Sequence, residues 1–332
     1  MAAAVVASLF VLGVILVILG PISWLVAGKT VQRLSGKDRA DAINTVRQTL
    51  LAAIAGATVF ASLAYTARTY LLSRRGQVTE RFRAAVENLA SDKLEVRLGS
   101  VYSLEHVLSE SAVDHAAVVK VLAGFVRNNT HRGATREPSA FPELRNGLRT
   151  APDWEVELSA DIQAAVEALA RRPKRNEPRR VDLRHTNLAG LSLRHFEFES
   201  PPRLEWMFLT SADLRRADLR GVNMKRTILN NADMCFAWLV NARCDRAALC
   251  RVDLRGALLN GTNFFEADLS GADLRETDGL TAKQLAAATI DEETRLPDYL
   301  VGDPWVAARL ADCRVWAASN QQRFCAPPTP QP

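Results

Sequence analysis

From Leu204 onward the chain sets an apolar residue at every fifth position: Leu204, Leu209, Leu214, Leu219, Met224, Leu229, Met234, Leu239, Cys244, Leu249, Leu254, Leu259, Phe264, Leu269 and Leu274. Five fits neither the 3.6-residue period of a helix nor the two-residue alternation of a single strand. Two residues before each beat stands a mostly small residue, as at Ala212, Ala217, Val222, Thr227, Ala232 and Ala237, and the flanking residues are mostly polar. An earlier block, Leu183, Leu188, Leu193 and Phe198, keeps the beat one residue out of register. Ser200-Pro201-Pro202 marks the distorted corner where the extra residue is absorbed.

A unit with one large and one small inward residue suits a short strand plus a corner. Such a unit cannot bury its apolar face alone, so units must stack. The motif is roughly Ala-(Asp/Asn)-Leu-x-x, seen in ADLRR, ADLRG, ADMCF, NFFEADLSG and ADLRE. This pattern resembles the pentapeptide-repeat family over residues 181–279. The resemblance implies a right-handed four-sided β-helix with four pentapeptides per coil, each coil rising about 4.8 Å. Helices on either side are expected to cap it. Ser159 can cap the helix ADIQAAVEALARR at one end, and Thr281 with Gln284 fits a capping box at the other.

The N-terminus reads differently. MAAAVVASLFVLGVILVILGPISWLVAG carries no side-chain charge before Lys29, has no basic leader and is long enough to span a bilayer. A second apolar stretch, residues 48–67, lies between Arg47 and Arg68; as a soluble alternative it reads as a buried helix. Two transmembrane helices are expected. Orientation is nearly tied, because Lys29, Arg33, Lys37, Arg39 and Arg47 on one side face Arg68, Arg74, Arg75, Arg81 and Arg83 on the other.

Between anchor and repeats, Phe82, Val86 and Leu89 share a helical face, and two further helical patterns follow. The stretch from Gly76 to Val107 is similar to a region found beside membrane helices in bacterial pentapeptide-repeat proteins. The fold class is therefore mixed: a two-helix membrane anchor (1–76), an α-helical module (77–130), a linker (131–158), a capping helix and basic linker (159–180), the repeat β-helix (181–279), and a capping helix with tail (280–332).

Chemistry is sparse. There is no nucleophile elbow, phosphate loop, GxGxxG or HExxH. His185 and His195 are ten residues apart, on opposite faces of a twenty-residue coil, and His106, His115 and His131 form no ligand spacing. No enzyme, cofactor or metal is expected. The five cysteines have no CxxC pair, Cys244 falls on the inward beat, and Cys313 could pair with Cys325 if the tail were extracellular. A reducing cytosol is the simpler reading, which places the C-terminal domain on the cytoplasmic side of a bacterial plasma membrane.

Residues twenty apart stack, so Asp213, Asp233, Asp253 and Asp273 form one column and Arg215, Arg255 and Arg275 another, with Cys235 in the gap. This ladder is a structural surface feature or a docking strip. A basic cluster, Arg171, Arg172, Lys174, Arg175, Arg179 and Arg180, reads as solvated linker, with contact to anionic lipid or nucleic acid as the sharper alternative. The leading function is a non-enzymatic, membrane-tethered scaffold whose partners are the bilayer and an unidentified protein. Family resemblance also implies that homodimers can form. The alternative it supplies is a DNA mimic that protects type II topoisomerases. Mimicry needs a dense acidic face, whereas the repeat block holds 13 Lys/Arg against 14 Asp/Glu, a net charge of −1, so nucleic acid is disfavoured as a partner.

Overall fold

A computed structural model describes Leu25 and residues 36–130, 158–194 and 200–320. The chain divides into two units, Met1–Gln77 and Val78–Pro332.

In the first unit the described structure is helical. Helix α1 (Gly36–Asn88) contains the whole apolar stretch 48–67 without interruption. No proline occurs between residues 36 and 88, and Gly56 and Gly76 sit inside the helix with open space around them. Residues 51–77 are exposed at every position. Hydroxyls that would otherwise be unsatisfied there are bonded locally: Thr58 donates to the Ile54 carbonyl (2.8 Å), Thr66 to Ser62 (2.9 Å) and Thr69 to Tyr65 (2.9 Å). Among the described residues one helix is long and apolar enough to cross a membrane, and it is α1. This corrects the expectation of two transmembrane helices. The second stretch is the middle of a single 53-residue helix, and the first lies outside the described residues apart from the exposed Leu25.

The second unit begins with the end of α1 and continues through α2 (Leu94–Glu110), α3 (His115–Thr130) and α4 (Ala160–Arg171). Val101, Leu104 and Leu108 on α2, Val118, Leu122 and Val126 on α3, and Ile162, Val166 and Leu169 on α4 recur at three- and four-residue spacing and are buried together with Ala85 of α1. The α4 cap differs from expectation. Ser159 makes no capping bond; its hydroxyl donates to Asp161 Oδ1 (2.5 Å) instead. Asp161, which is buried, accepts from the Ile162 N–H (3.0 Å) and from Arg97 Nε on α2 (2.6 Å). A carboxylate accepts more strongly than a hydroxyl and can serve both donors.

These helices join the repeats through backbone and side-chain bonds. The Asn187 N–H donates to the last carbonyl of α3, Thr130 (2.8 Å), and Arg203 N–H to Ala170 of α4 (2.9 Å). Gln163 Nε2 donates to the Ser192 carbonyl (2.5 Å) while its Oε1 accepts from Ser192 N–H (3.1 Å). The basic cluster is partly consumed here. Arg172 is buried and holds Glu177 (2.6 Å) and the Leu169 carbonyl (2.7 Å), and Arg175 holds the carbonyls of Leu108 (2.9 Å) and Ser111 (2.6 Å).

The repeat region requires a second correction. The expected closed β-helix is not the regular structure found. Among the described residues the one sheet is open and has two strands, β1 (Val181–Asp182) and β2 (Met207–Phe208), paired in parallel with Val181 opposite Met207. Helix is the dominant regular structure of the described chain. Elsewhere the repeats pair through single-residue parallel bridges, such as Asp213 to Asp233 to Asp253 to Asp273, and Phe208 to Ile228 to Ala248 to Asp268. The five-residue unit explains the difference. Each unit spends two residues on a turn and places one residue in a bridge, so no run is long enough to become a strand.

The result is a stack of turns with a buried apolar interior. Every residue on the five-residue beat from Leu204 to Leu274 is buried, and so are the small residues two positions earlier. Where threonine replaces alanine its hydroxyl is bonded: Thr227 donates to the Leu204 carbonyl (2.6 Å) and Thr262 to Leu239 (2.7 Å). Every fifth residue from Trp206 to Glu276 turns the corner with φ between 54° and 70°. That region suits glycine, and side chains tolerate it only where the surroundings over-determine the backbone.

The stack also outlasts the repeat read from sequence. Thr281 and Gln284 form the capping box of α5 (Ala282–Leu285), a four-residue helix. The chain then pairs again, Thr289 against Asp268 and Arg295 against Asp273. A 3-10 turn (Asp298–Leu300) leads to α6 (Pro304–Asn320), which the sequence reading missed. Its signal was present: Asp303 Oδ1 accepts from Trp305 N–H (2.8 Å) and Val306 N–H (3.2 Å), with proline at the first helical position. The tail APPTPQP lies outside the described residues.

Candidate functional site: the aspartate–arginine forks

Every Asp-Leu-Arg tripeptide in the repeats does the same thing locally. The leucine points inward, so the aspartate and arginine on either side both point outward and meet. Arg215 donates through Nε and Nη2 to Asp213 (2.8 and 2.6 Å), Arg255 to Asp253 (2.8 and 2.5 Å), and Arg275 to Asp273 (2.9 and 2.7 Å). The same fork forms at Asp182–Arg184 (2.9 and 2.9 Å) and Asp218–Arg220 (2.8 and 2.6 Å). In each, the aspartate also accepts from the arginine backbone N–H, closing an Asx turn. The column arrangement directed sequence reasoning toward neighbours twenty residues apart. The dominant bonds are instead to the residue two along, a pairing legible in the repeated tripeptide itself.

Neighbouring rungs touch more loosely. Arg215 Nε lies 3.9 Å from Asp233 and Arg255 Nε 3.9 Å from Asp273. Asp213, Asp233, Asp253 and Asp273 do stack through successive bridges. Stacked carboxylates repel, and the interleaved guanidinium groups offset that. Exposure is graded along the column. The side chains of Asp213 and Arg215 are 2% and 17% exposed, whereas Arg275 is 46% and Arg295 64%. The most exposed arginines of the column are therefore at its C-terminal end, while Asp253 at 28% is more exposed than Asp273 at 17%.

Asp233 breaks the pattern, because Cys235 stands where its arginine would be. Asp233, Cys235 and Asp253 bring one donor atom each within 4.8 Å of one another. Burial, together with a hydrogen bond to Asp253, pushes the Cys235 thiol up to about 12. It therefore stays protonated at neutral pH, as a donor to Asp253 rather than a nucleophile. Arg255 Nη2 lies 3.9 Å from its sulfur. Burial opposes ionisation of Asp253, but the hydrogen bonds from Arg255 and Cys235 outweigh it and hold the carboxyl below its usual range.

The remaining candidates are dispersed. His115 is buried with Nε2 3.1 Å from Glu177 Oε1, His106 and His185 are exposed, and His131 and His195 lie outside the described residues. Cys244 is buried on the beat, its thiol pushed up to about 12 by burial and by the charge of Asp245. Cys313 is a free thiol, so the pairing with Cys325 that an extracellular tail would have allowed is not formed; Cys325 lies outside the described residues.

A family model described as pentapeptide repeats matches residues 209–243 and 242–278 in eight copies. Among solved structures, a pentapeptide repeat protein from Nostoc Pcc 7120 is 26% identical over 40% of this chain and 84% of its own, with a TM-score of 0.28. Rfr23, a pentapeptide repeat protein from the cyanobacterium Cyanothece 51142, is 23% identical over 35% and 90%, with a TM-score of 0.21. One from the Arabidopsis thaliana thylakoid lumen is 24% identical over 32% and 74%, with a TM-score of 0.24. No curated protein matches the chain.

Proposed function

From the premise that residues 209–278 form a pentapeptide-repeat domain, we propose that this protein is a membrane-tethered scaffold that binds another protein. Pentapeptide-repeat proteins are a non-catalytic structural family, and the protein is not an enzyme. The observation that carries the tether is α1. Val59, Phe60, Leu63 and Tyr65 are 59–75% exposed on a helix with no protein cover from residue 51 to 77. So large an apolar surface calls for an apolar surrounding, and the twenty residues 48–67 at about 1.5 Å each span the roughly 30 Å of a bilayer core. Scaffold is favoured over DNA mimicry because the stacked carboxylates at 213, 253 and 273 are each engaged by an arginine fork. A mimic requires unengaged negative charge.

We infer that the C-terminal unit lies in the cytoplasm of a bacterial cell, a reading supported by the free thiols of Cys235, Cys244 and Cys313. The tether is tested by washing membranes at alkaline pH: the full chain should stay in the pellet, and release into the wash would refute it. Protease added outside intact cells should spare residues 78–332, and rapid digestion there would reverse the orientation. For the scaffold, dose-dependent relief of a type II topoisomerase poison by the C-terminal unit at low salt would replace it with the mimic.

A further inference from the structure

The two-stranded sheet carries a patch of arginine and aromatic side chains on its outer face. Strands β1 and β2 pair with Val181 opposite Met207 and Asp182 opposite Phe208. Arg180 and Trp206 stand one residue before these pairs and meet across them, with Arg180 Cζ 4.6 Å from the centroid of the Trp206 ring. The Phe208 ring lies 5.5 Å from both Arg180 Cζ and Arg184 Cζ. One rung further, Ile228 is bridged to Phe208, and Arg226 occupies the corner twenty residues on from Trp206. Arg180 Nη1 donates to the Arg226 carbonyl. We infer that this patch, formed by Arg180, Arg184, Trp206, Phe208, Arg226 and Ile228, docks on the headgroups of acidic phospholipids. The inference supplies a partner for the tethered protein proposed above, and it rests on that reading for the nearness of a bilayer.

Charge selects the partner. Arg184 and Arg127 share Asp182, with bonds of 2.9 and 2.6 Å. Among the described residues, Asp182 is the one carboxylate that pairs with any of Arg127, Arg180, Arg184 and Arg226. Burial and the charge of Arg226 hold Arg180 below its ordinary value, as expected for like charges kept close. A phosphate placed between them relieves that repulsion, and the planar guanidinium fork matches its oxygens.

The apolar half of the patch selects a bilayer over a free phosphate. Trp206 is 43% exposed, and Phe208 and Ile228 are half-buried beside it. An indole next to arginines suits the headgroup level of a membrane, where one part is apolar and the other wet. A nucleic-acid base is a poorer occupant, because the Arg180 guanidinium already covers a face of the Trp206 ring. The tether raises the local concentration of lipid, so a weak patch is enough.

The test uses the full chain in lipid nanodiscs of phosphatidylcholine, alone or with about 30% phosphatidylglycerol, with and without bromine on the acyl chains. Subtracting the matching Trp206→Phe protein in each background isolates the Trp206 emission. Bromine should quench that emission about twofold or more in acidic discs and little in neutral ones, and high salt should remove the difference. Arg180→Glu combined with Arg226→Glu should bring acidic discs down to the neutral level. Arg243→Glu combined with Arg314→Glu, the same change of net charge at exposed positions elsewhere, should leave the quenching intact. Arg226→Glu alone, at an exposed corner, should already weaken it, without altering the circular dichroism spectrum. Equal quenching in both kinds of disc, or quenching retained by the Arg180 and Arg226 double reversal, would overturn the proposal. So would reversal-sensitive binding of a single-stranded RNA oligonucleotide in place of lipid. Incorporation into discs reads the tether separately. A chain recovered outside them would overturn the tether, while its quenching by added acidic discs would still read the patch.

Discussion

Thr227 shows how the turn stack accommodates a polar atom. Its hydroxyl is buried but satisfied by the Leu204 carbonyl at 2.6 Å. Valine has the same shape and no donor, so Thr227→Val leaves that carbonyl unpaired and should lower stability by about 1–2 kcal/mol in urea titration. No loss would mean that the bond contributes nothing net. Corner residues make a second test. Gly256 has φ +68°, and an added Cβ would lie 2.5 Å from the Phe236 ring directly across the stack. Gly302 has φ +85° with open space around it. Gly256→Ala should therefore cost about 2 kcal/mol or more and Gly302→Ala about 1 kcal/mol, the part due to backbone strain alone. Equal losses would show that the cross-stack contact is relieved by ring movement. The inward beat is more severe: Leu254→Asp buries an unpaired charge and should cost several kcal/mol, whereas Arg275→Ala, half exposed, should cost less than about 1 kcal/mol.

At the scale of elements, the forks and the helix-to-repeat ion pairs share one electrostatic consequence. In Asp161 and Glu177 burial opposes ionisation, but hydrogen bonds from Ser159 and Arg97 in the first, and from Arg172 and His115 in the second, overcome it and hold the carboxyl low. Asp182 is lowered chiefly by the hydrogen bond from Arg184. Asp253 follows the same direction. A carboxyl with a depressed folded pKa contributes stability that is present above its unfolded value, about 4, and is lost as pH falls through the folded value. The urea midpoint of residues 78–332 should therefore drop steeply below about pH 4. Asp253→Asn should make that drop shallower, and a midpoint unchanged down to pH 3 would contradict the ion-pair account. The forks were legible in the recurrent Asp-Leu-Arg tripeptide once the leucine was known to point inward. Their graded burial was not, because it depends on which residues stand across the stack, twenty positions away.

For the whole molecule, the hydrophobic core of the second unit runs without a break from Ala85 through α2, α3 and α4 into the turn stack and on to Cys313 of α6. Residues 78–332 should accordingly be soluble and unfold in one cooperative transition without the anchor. Two separate transitions by circular dichroism and tryptophan fluorescence would show that helices and stack are energetically independent.

Taken alone, the sequence determined which residues face inward. A five-residue recurrence of apolar side chains has one burial solution, and local rules suffice to place a capping box at Thr281. It also marked the apolar stretch 48–67, since hydropathy is additive along the chain. The tertiary structure decided what local rules leave open. Two-residue turns leave single bridged residues where strands were expected, and continuous helical propensity joined the apolar stretch 48–67 and the helical face of Phe82 and Val86 into one helix, α1. Ser159 remains the N-cap residue of α4 but spends its hydroxyl on Asp161, whose carboxylate is also held by Arg97, 64 residues away, at 2.6 Å. Pairing at that separation is set by how elements pack, and nothing within a local window encodes it.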